Sequence, residues 1–140
     1  MPLAEAELEL LAPVEDVWAF LAEPRHLADW WPGIAAVDPD RRGLAAGARW
    51  IARGTGHAPL FRKAHAEDVI LIREVDPFRR VLWHKVKERL DAELVLEPIG
   101  HDRTRARLAV RAPLMVSFGR KLPREALSRL QALIRTAESL

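Results

Sequence analysis

The sequence predicts an α+β fold in which a seven-stranded antiparallel sheet curves around a long C-terminal helix, with two short helices after the first strand. Three observations predict it. Across residues 123–140, Ala126, Leu127, Leu130, Leu133, Ile134, Ala137 and Leu140 fall on one side of a helical wheel. Arg124, Glu125, Ser128, Arg129, Gln131, Arg135, Thr136, Glu138 and Ser139 fall on the other, the pattern of a helix lying on a core. Upstream, apolar and polar residues alternate with period two in segment after segment, as in half-buried strands. Short turns join the later segments, and consecutive strands joined that way run antiparallel.

The elements follow in order. Residues 3–11 set Ala4, Ala6, Leu8 and Leu10 against Glu5, Glu7 and Glu9, a half-buried strand that Pro13 breaks. Glu15 and Asp16 sit where a helix N-terminus favours negative charge, and Val14, Val17, Trp18 and Leu21 recur at helical spacing, so 14–22 is a short helix. Pro24 opens a second, anchored by Leu27, Trp30 and Trp31 and ended by Pro32-Gly33. Residues 34–37 form a short strand and 38–47 a turn or loop. Residues 48–53 alternate around Trp50. Residues 54–66 are a loop, with a strand in the second half as the alternative reading. Residues 68–75 are β-branched and form a strand; Asp76-Pro77 is a turn. Strands 80–89, 90–97 and 103–112 follow, with a turn at 98–102 and an apolar connector at 113–122 before the final helix. No internal repeat or low-complexity segment occurs.

Composition bounds the function. The chain has 140 residues, 49% hydrophobic and 30% charged, which fits a single domain over 1–140 of ordinary globular kind. No apolar run approaches the ~18 residues of a membrane span. The N-terminus has no basic segment followed by an apolar one, so no secretory signal is expected. The absence of cysteine excludes disulfides, thiolate metal sites and a cysteine nucleophile, and fits a cytoplasmic protein. With 22 basic and 20 acidic side chains the net charge is +2, which gives nucleic-acid binding no support.

Charge orients the strands. Leu90, Ala92, Leu94 and Leu96 oppose Asp91, Glu93 and Glu97; Ala106, Leu108, Val110 and Ala112 oppose Arg105, Arg107 and Arg111. Opposite charges facing across a ladder contribute about 0.2–1 kcal/mol per pair, so the arginine strand is expected between the two acidic strands, 3–11 and 90–97. The same rule puts Lys85 and Lys87 outside with Trp83, and turns Leu82, His84, Val86 and Glu88 inward. With Glu74 outward, Val69, Leu71, Arg73 and Val75 point inward. Arg73, His84 and Glu88 then lie on the concave face. They form either a structural ion pair near the rim or the polar part of a wet pocket under the helix.

The segment from Leu10 to Leu21 (LLAPVEDVWAFL), then Leu27 to Gly33 (LADWWPG), the stretch VDPFRRVLW ending at Trp83 and the terminal helix together resemble the START-like helix-grip superfamily. That group includes polyketide cyclase/dehydrase-like and lipid-transfer proteins, and the resemblance covers nearly the whole chain. It implies a cavity for a hydrophobic ligand such as a lipid, polyketide or quinone between the sheet and the C-terminal helix. It carries no shared catalytic motif.

Other motifs point nowhere sharper. His26, His57, His65, His84 and His101 have no metal-like spacing, so no metal or cofactor is expected. Gly54-Thr-Gly56 lacks the following helix of a phosphate loop, and Ser117 and Ser128 lack a nucleophile-elbow context. The sequence therefore reads as a carrier or sensor of a hydrophobic small molecule. Its cavity is expected to be lined by Trp31, Trp50, Leu71, Arg73, Leu82, His84, Leu94, Leu108, Ala126, Leu130 and Ile134. One alternative is a cyclase, aromatase or dehydratase in which Arg73 holds an oxygen while His84 or Glu88 moves a proton. The other is a protein-interaction module using the outer sheet or the 114–118 loop.

Overall fold

Seven strands form one open antiparallel sheet in a computed structural model that describes residues 3–54, 67–113 and 120–139. They are β1 (Leu3–Leu10), β2 (Ile34–Asp38), β3 (Arg49–Gly54), β4 (Glu67–Asp76), β5 (Arg80–Lys85), β6 (Leu90–Ile99) and β7 (Arg103–Arg111). The sheet order is β1-β7-β6-β5-β4-β3-β2. Every pairing except β1 with β7 joins sequence neighbours, so the chain meanders from β2 to β7 and its first strand forms the edge beside β7. Helices α1 (Val14–Leu21) and α2 (Leu27–Trp30), linked by a 3₁₀ turn at Pro24–His26, follow β1, and α3 (Leu122–Glu138) follows β7. The expected strand alternative in 54–66, the 114–118 loop, His57, His65 and Ser117 lie outside the described residues.

The expected charge ladder is present. Glu7 pairs with Arg107 and Glu9 with Arg105 across β1–β7, while Glu97 pairs with Arg105 across β6–β7. Arg105 lies between both acidic strands, 3.0 Å from Glu7 and 3.5 Å from Glu97. The opposite faces of these strands bury Leu10, Leu94, Leu96, Ala106, Leu108 and Val110.

Short helices such as α1 are marginal alone and are held by what they bury. Pro13 precedes α1 in an extended conformation, Glu15 and Asp16 occupy its first turn, and Val17 and Leu21 are buried. Helix α3 starts one residue before Pro123 and buries Ala126, Leu127, Leu130 and Ile134. It packs on β1, β7 and α2. Gln131 Nε2 donates to the Glu9 carbonyl at 2.8 Å, and the buried Thr104 hydroxyl donates to the Ala12 carbonyl at 2.9 Å, tying β7 to the turn before α1. The helix ends two residues earlier than expected, and Ala137 is exposed instead of lying on the buried stripe.

Two strands face the opposite way from the expectation. On β4 the buried set is Asp68, Ile70 and Ile72, and Arg73 is exposed. The ladder pairs Ile72 with Trp83 but Glu74 with Leu82, leaving Arg73 as the extra residue of a bulge. One inserted residue inverts the alternation on its far side. Glu74 faces out and Val75 in as expected, yet everything before Arg73 is reversed, and Leu71 is half-buried on the outer face. On β5, Val81, Trp83 and Lys85 are buried while Leu82 and His84 lie outside, half-buried. The outer face keeps its charge pairs through Arg80, which bonds Glu74 and Glu93, and a hydrogen bond there joins His84 Nδ1 and Asp91 Oδ1 at 2.8 Å. Glu74 and Glu93, Glu93 foremost, hold the Arg80 guanidinium above its ordinary value. Strand β5 also ends at Lys85, four residues early, because residues 86–89 turn, with Arg89 in the left-handed region at φ 53°.

Candidate functional site

Area decides why β5 turns Trp83 inward. Burying an indole removes roughly 200 Å² from water, worth about 5 kcal/mol at most at 25 cal/mol per Å². A cross-strand charge pair contributes about 0.2–1 kcal/mol. The tryptophan therefore sets the face, and Lys85, two residues on, follows it inward. Its aliphatic stem can be buried at little cost, and its ammonium meets Glu88 Oε2 at 3.2 Å.

Trp83 meets the tryptophans at the end of α2. Ring centroids are 5.4 Å apart for Trp31–Trp83, 6.3 Å for Trp30–Trp83 and 5.7 Å for Trp30–Trp31, with interplanar angles of 71°, 84° and 78°. Edge-to-face pairs of this kind contribute about 0.5–1.5 kcal/mol each beyond burial. Both Trp30 and Trp31 are buried, at 2% and 1% exposure.

Beside this cluster is an apolar cavity of about 30 Å³. Leu21 of α1 with Leu27 and Trp30 of α2 cover it. Trp50, Ile72, Val81, Trp83 and Leu94, from β3 to β6, form its floor, and Leu44 closes the side. Trp50 is held by an Nε1–H bond to the Gly43 carbonyl at 3.0 Å. That loop is fixed in turn by Asp40, which accepts the amides of Arg42 at 3.0 Å and Arg49 at 2.9 Å. These amides, Arg49 foremost, hold the Asp40 carboxylate below its ordinary value. A second concavity, about 580 Å³, lies on the rim between Val14, the β4–β5 turn and the end of β6, and is lined by Asp76, Arg79, Arg80 and Glu97 as well as Phe78. It is larger but lined by charged side chains, so the apolar cavity is the better candidate for an apolar guest.

The structure brings together only part of the expected lining. Trp50 and Leu94 line the cavity. Trp31, Leu108, Ala126, Leu130 and Ile134 are buried nearby in the core without lining it. Leu71, Arg73, Leu82 and His84 stand on the other face of the sheet, for the parity reasons given above. Trp83, Trp30, Val81, Ile72, Leu21, Leu27 and Leu44 were missed. The signal for Trp83 and Val81 was the side-chain area at alternate positions of β5. The inner face near the end of β5 carries a polar group instead of Arg73: Lys85 with Glu88, beside the buried Asp68, whose carboxylate accepts the amides of Val69, Lys87 and Glu88. Among the described residues no group of three or more histidines, cysteines and acids could hold a metal ion, and no helix is long and apolar enough to cross a membrane.

A meandering seven-stranded sheet holding a C-terminal helix, with an apolar cavity roofed by two short helices, is the helix-grip architecture. Residues 1–135 match the family described as polyketide cyclase / dehydrase and lipid transport, and the chain belongs to it. Solved structures share the fold. A Bacillus thuringiensis protein of unknown function matches with a TM-score of 0.71 at 11% identity, covering 96% of this chain and 99% of its own. Norcoclaurine synthase from Thalictrum flavum, a point mutant in complex with a transition-state analogue, gives 0.67 at 15% identity, covering 98% and 96%. The di-domain ARO/CYC BexL from the BE-7585A biosynthetic pathway gives 0.69 at 20% identity, covering 99% of this chain and 47% of its own. No curated protein matches the chain in sequence.

Proposed function

We propose that the protein binds a hydrophobic small molecule of lipid, polyketide or quinone-like type, with the apolar cavity as the innermost part of its site. The observation that carries this reading is the cavity wall: all nine lining residues are Leu, Ile, Val or Trp, in a family whose description includes lipid transport. At about 30 Å³ the cavity holds roughly one water-sized group. A larger guest therefore inserts one end there and displaces side chains for the rest. We also read residues 1–140 as one cytoplasmic domain, supported by the single sheet and the lack of cysteine. Native mass spectrometry of purified protein, followed by titration with palmitate and menadione, tests the function. Leu94→Trp, which fills the cavity, is expected to abolish retention of the ligand while far-UV circular dichroism stays unchanged. Undiminished binding by that variant would remove the cavity from the site.

A cyclase or dehydratase reading is favoured by one observation, the inward Lys85. Lys85 is buried on the same face as the cavity, and a buried ammonium can stabilise an enolate oxygen far better than one in water. Arg73 and His84, the groups the sequence offered for that role, stand on the opposite face. Loss of turnover of a poly-β-carbonyl thioester in Lys85→Met, with small-molecule binding kept, would favour the enzyme.

A further inference from the structure

Nearly every buried polar side-chain atom among the described residues has a partner. Trp50 Nε1 has the Gly43 carbonyl, Thr104 the Ala12 carbonyl, Asp68 three amides and Lys85 the Glu88 carboxylate. The exception is the indole N–H of Trp83, buried and without an acceptor. Trp83 is 4% exposed and lines the apolar cavity. A donor left unmade in an otherwise satisfied core is costly, and because the Trp83 side chain lines the cavity, a guest that shifts the ring on entering can meet it.

The chemistry of the wall narrows the answer. A trapped water needs two to four polar partners, and here it would find one donor among leucine, isoleucine and valine side chains. An alcohol brings a hydrogen of its own that the wall cannot accept. A carboxylate would lose its hydration for a single bond. A carbonyl oxygen has acceptor sites only, so one N–H satisfies it. We infer that the cavity selects ligands carrying an uncharged carbonyl-type oxygen (ketone, quinone or ester), which accepts a hydrogen bond from Trp83 Nε1 while the carbon skeleton packs on the apolar wall. This rests on the ligand-binding reading above and specifies the guest. The competing account is an N–H directed onto the face of Trp31 or Trp30, whose ring planes stand at 71° and 84° to it, a weak bond needing no ligand.

A matched pair of probes separates them: 1-tetralone and its isostere 1-methylenetetralin, titrated into wild type and Trp83→Phe. The ketone-to-alkene affinity ratio is expected to fall about fivefold to tenfold in the variant, the worth of one neutral hydrogen bond. In wild type the Trp83 indole ¹H–¹⁵N signal should move downfield with the ketone and not with the alkene. That second measurement stands even where Trp83→Phe fails to fold. Equal ratios in both proteins, or an indole signal that the bound ketone leaves in place, would overturn the carbonyl assignment and leave apolar binding standing. Failure of both probes to bind wild type would overturn the cavity reading and this inference with it, whereas binding of the ketone alone supports the carbonyl assignment.

Discussion

Lys85 shows how little an inward charge need contribute to stability. Its side chain is 7% exposed and its one carboxylate partner, Glu88, is 34% exposed. Burying the ammonium costs desolvation that a single pair repays poorly, and apolar replacements of such pairs are often neutral or stabilising. Lys85→Met keeps the stem and leaves Glu88 able to turn to water. Thermal unfolding should find it within about 1 kcal/mol of wild type or more stable, whereas a loss of about 3 kcal/mol would mark Lys85 as a structural charge. Asp40 makes the contrasting case. Its carboxylate is held below its usual value by the Arg49 and Arg42 amides, so the folded state favours the ionised form. The stabilisation is present above the ordinary 3.8 and is lost as pH falls through the lowered value. Asp40→Ala should remove that part of the acid dependence, so the gap in stability between variant and wild type narrows on acidification. A gap that stays constant with pH would refute the assignment.

Among the elements, β4 carries the decisive irregularity. With Arg73 deleted, Ile72 would be followed directly by Glu74, and the facings Ile72 in, Glu74 out and Val75 in would match a regular ladder against Trp83, Leu82 and Val81. The deletion should therefore fold, losing no more than about 1–2 kcal/mol, and amide exchange should show an unbroken β4–β5 ladder; an unfolded product would mean that the bulge supports the sheet's shape. Helix α3 gives the reverse expectation. Ala126 is fully buried, so Ala126→Trp should overpack the core and cost at least about 1–3 kcal/mol by chemical denaturation. A stable variant would reveal unfilled space beside it. These two elements also show what could be read in advance. The facings of β1, β6 and β7 were legible because their apolar and charged sets separate cleanly. The facing of β4 was not, since a bulge leaves no residue signature in a run such as Val-Ile-Leu-Ile-Arg. The facing of β5 follows the area of Trp83 over the charge of Lys85 and Lys87, which puts Lys85 inside in place of His84, while the β4 bulge turns Arg73 out.

Across the whole molecule, the outer face of the sheet is a lattice of alternating charge and the inner face a continuous core. Arg105 is the junction of that lattice, placed between Glu7 and Glu97, with Arg103 next to Glu9. Each such exposed link is weak, and their arrangement matters more than their strength, since it disfavours any register that would set like charges opposite one another. Arg105→Glu should cost about 1–2 kcal/mol, with the loss shrinking in 1 M salt as screening shortens the reach of the repulsion; a loss unchanged by salt would point to packing instead.

The tryptophan triad has an optical consequence. Three of the five indoles in the chain are 5.4–6.3 Å apart, centroid to centroid. At that separation their electronic transitions couple, and the sign and strength of the resulting near-ultraviolet dichroism depend on the angles between the rings. A guest that tilts Trp30 or Trp83 by a few degrees on entering would alter that band without any added label, so the protein carries its own chromophore for the occupancy of its cavity.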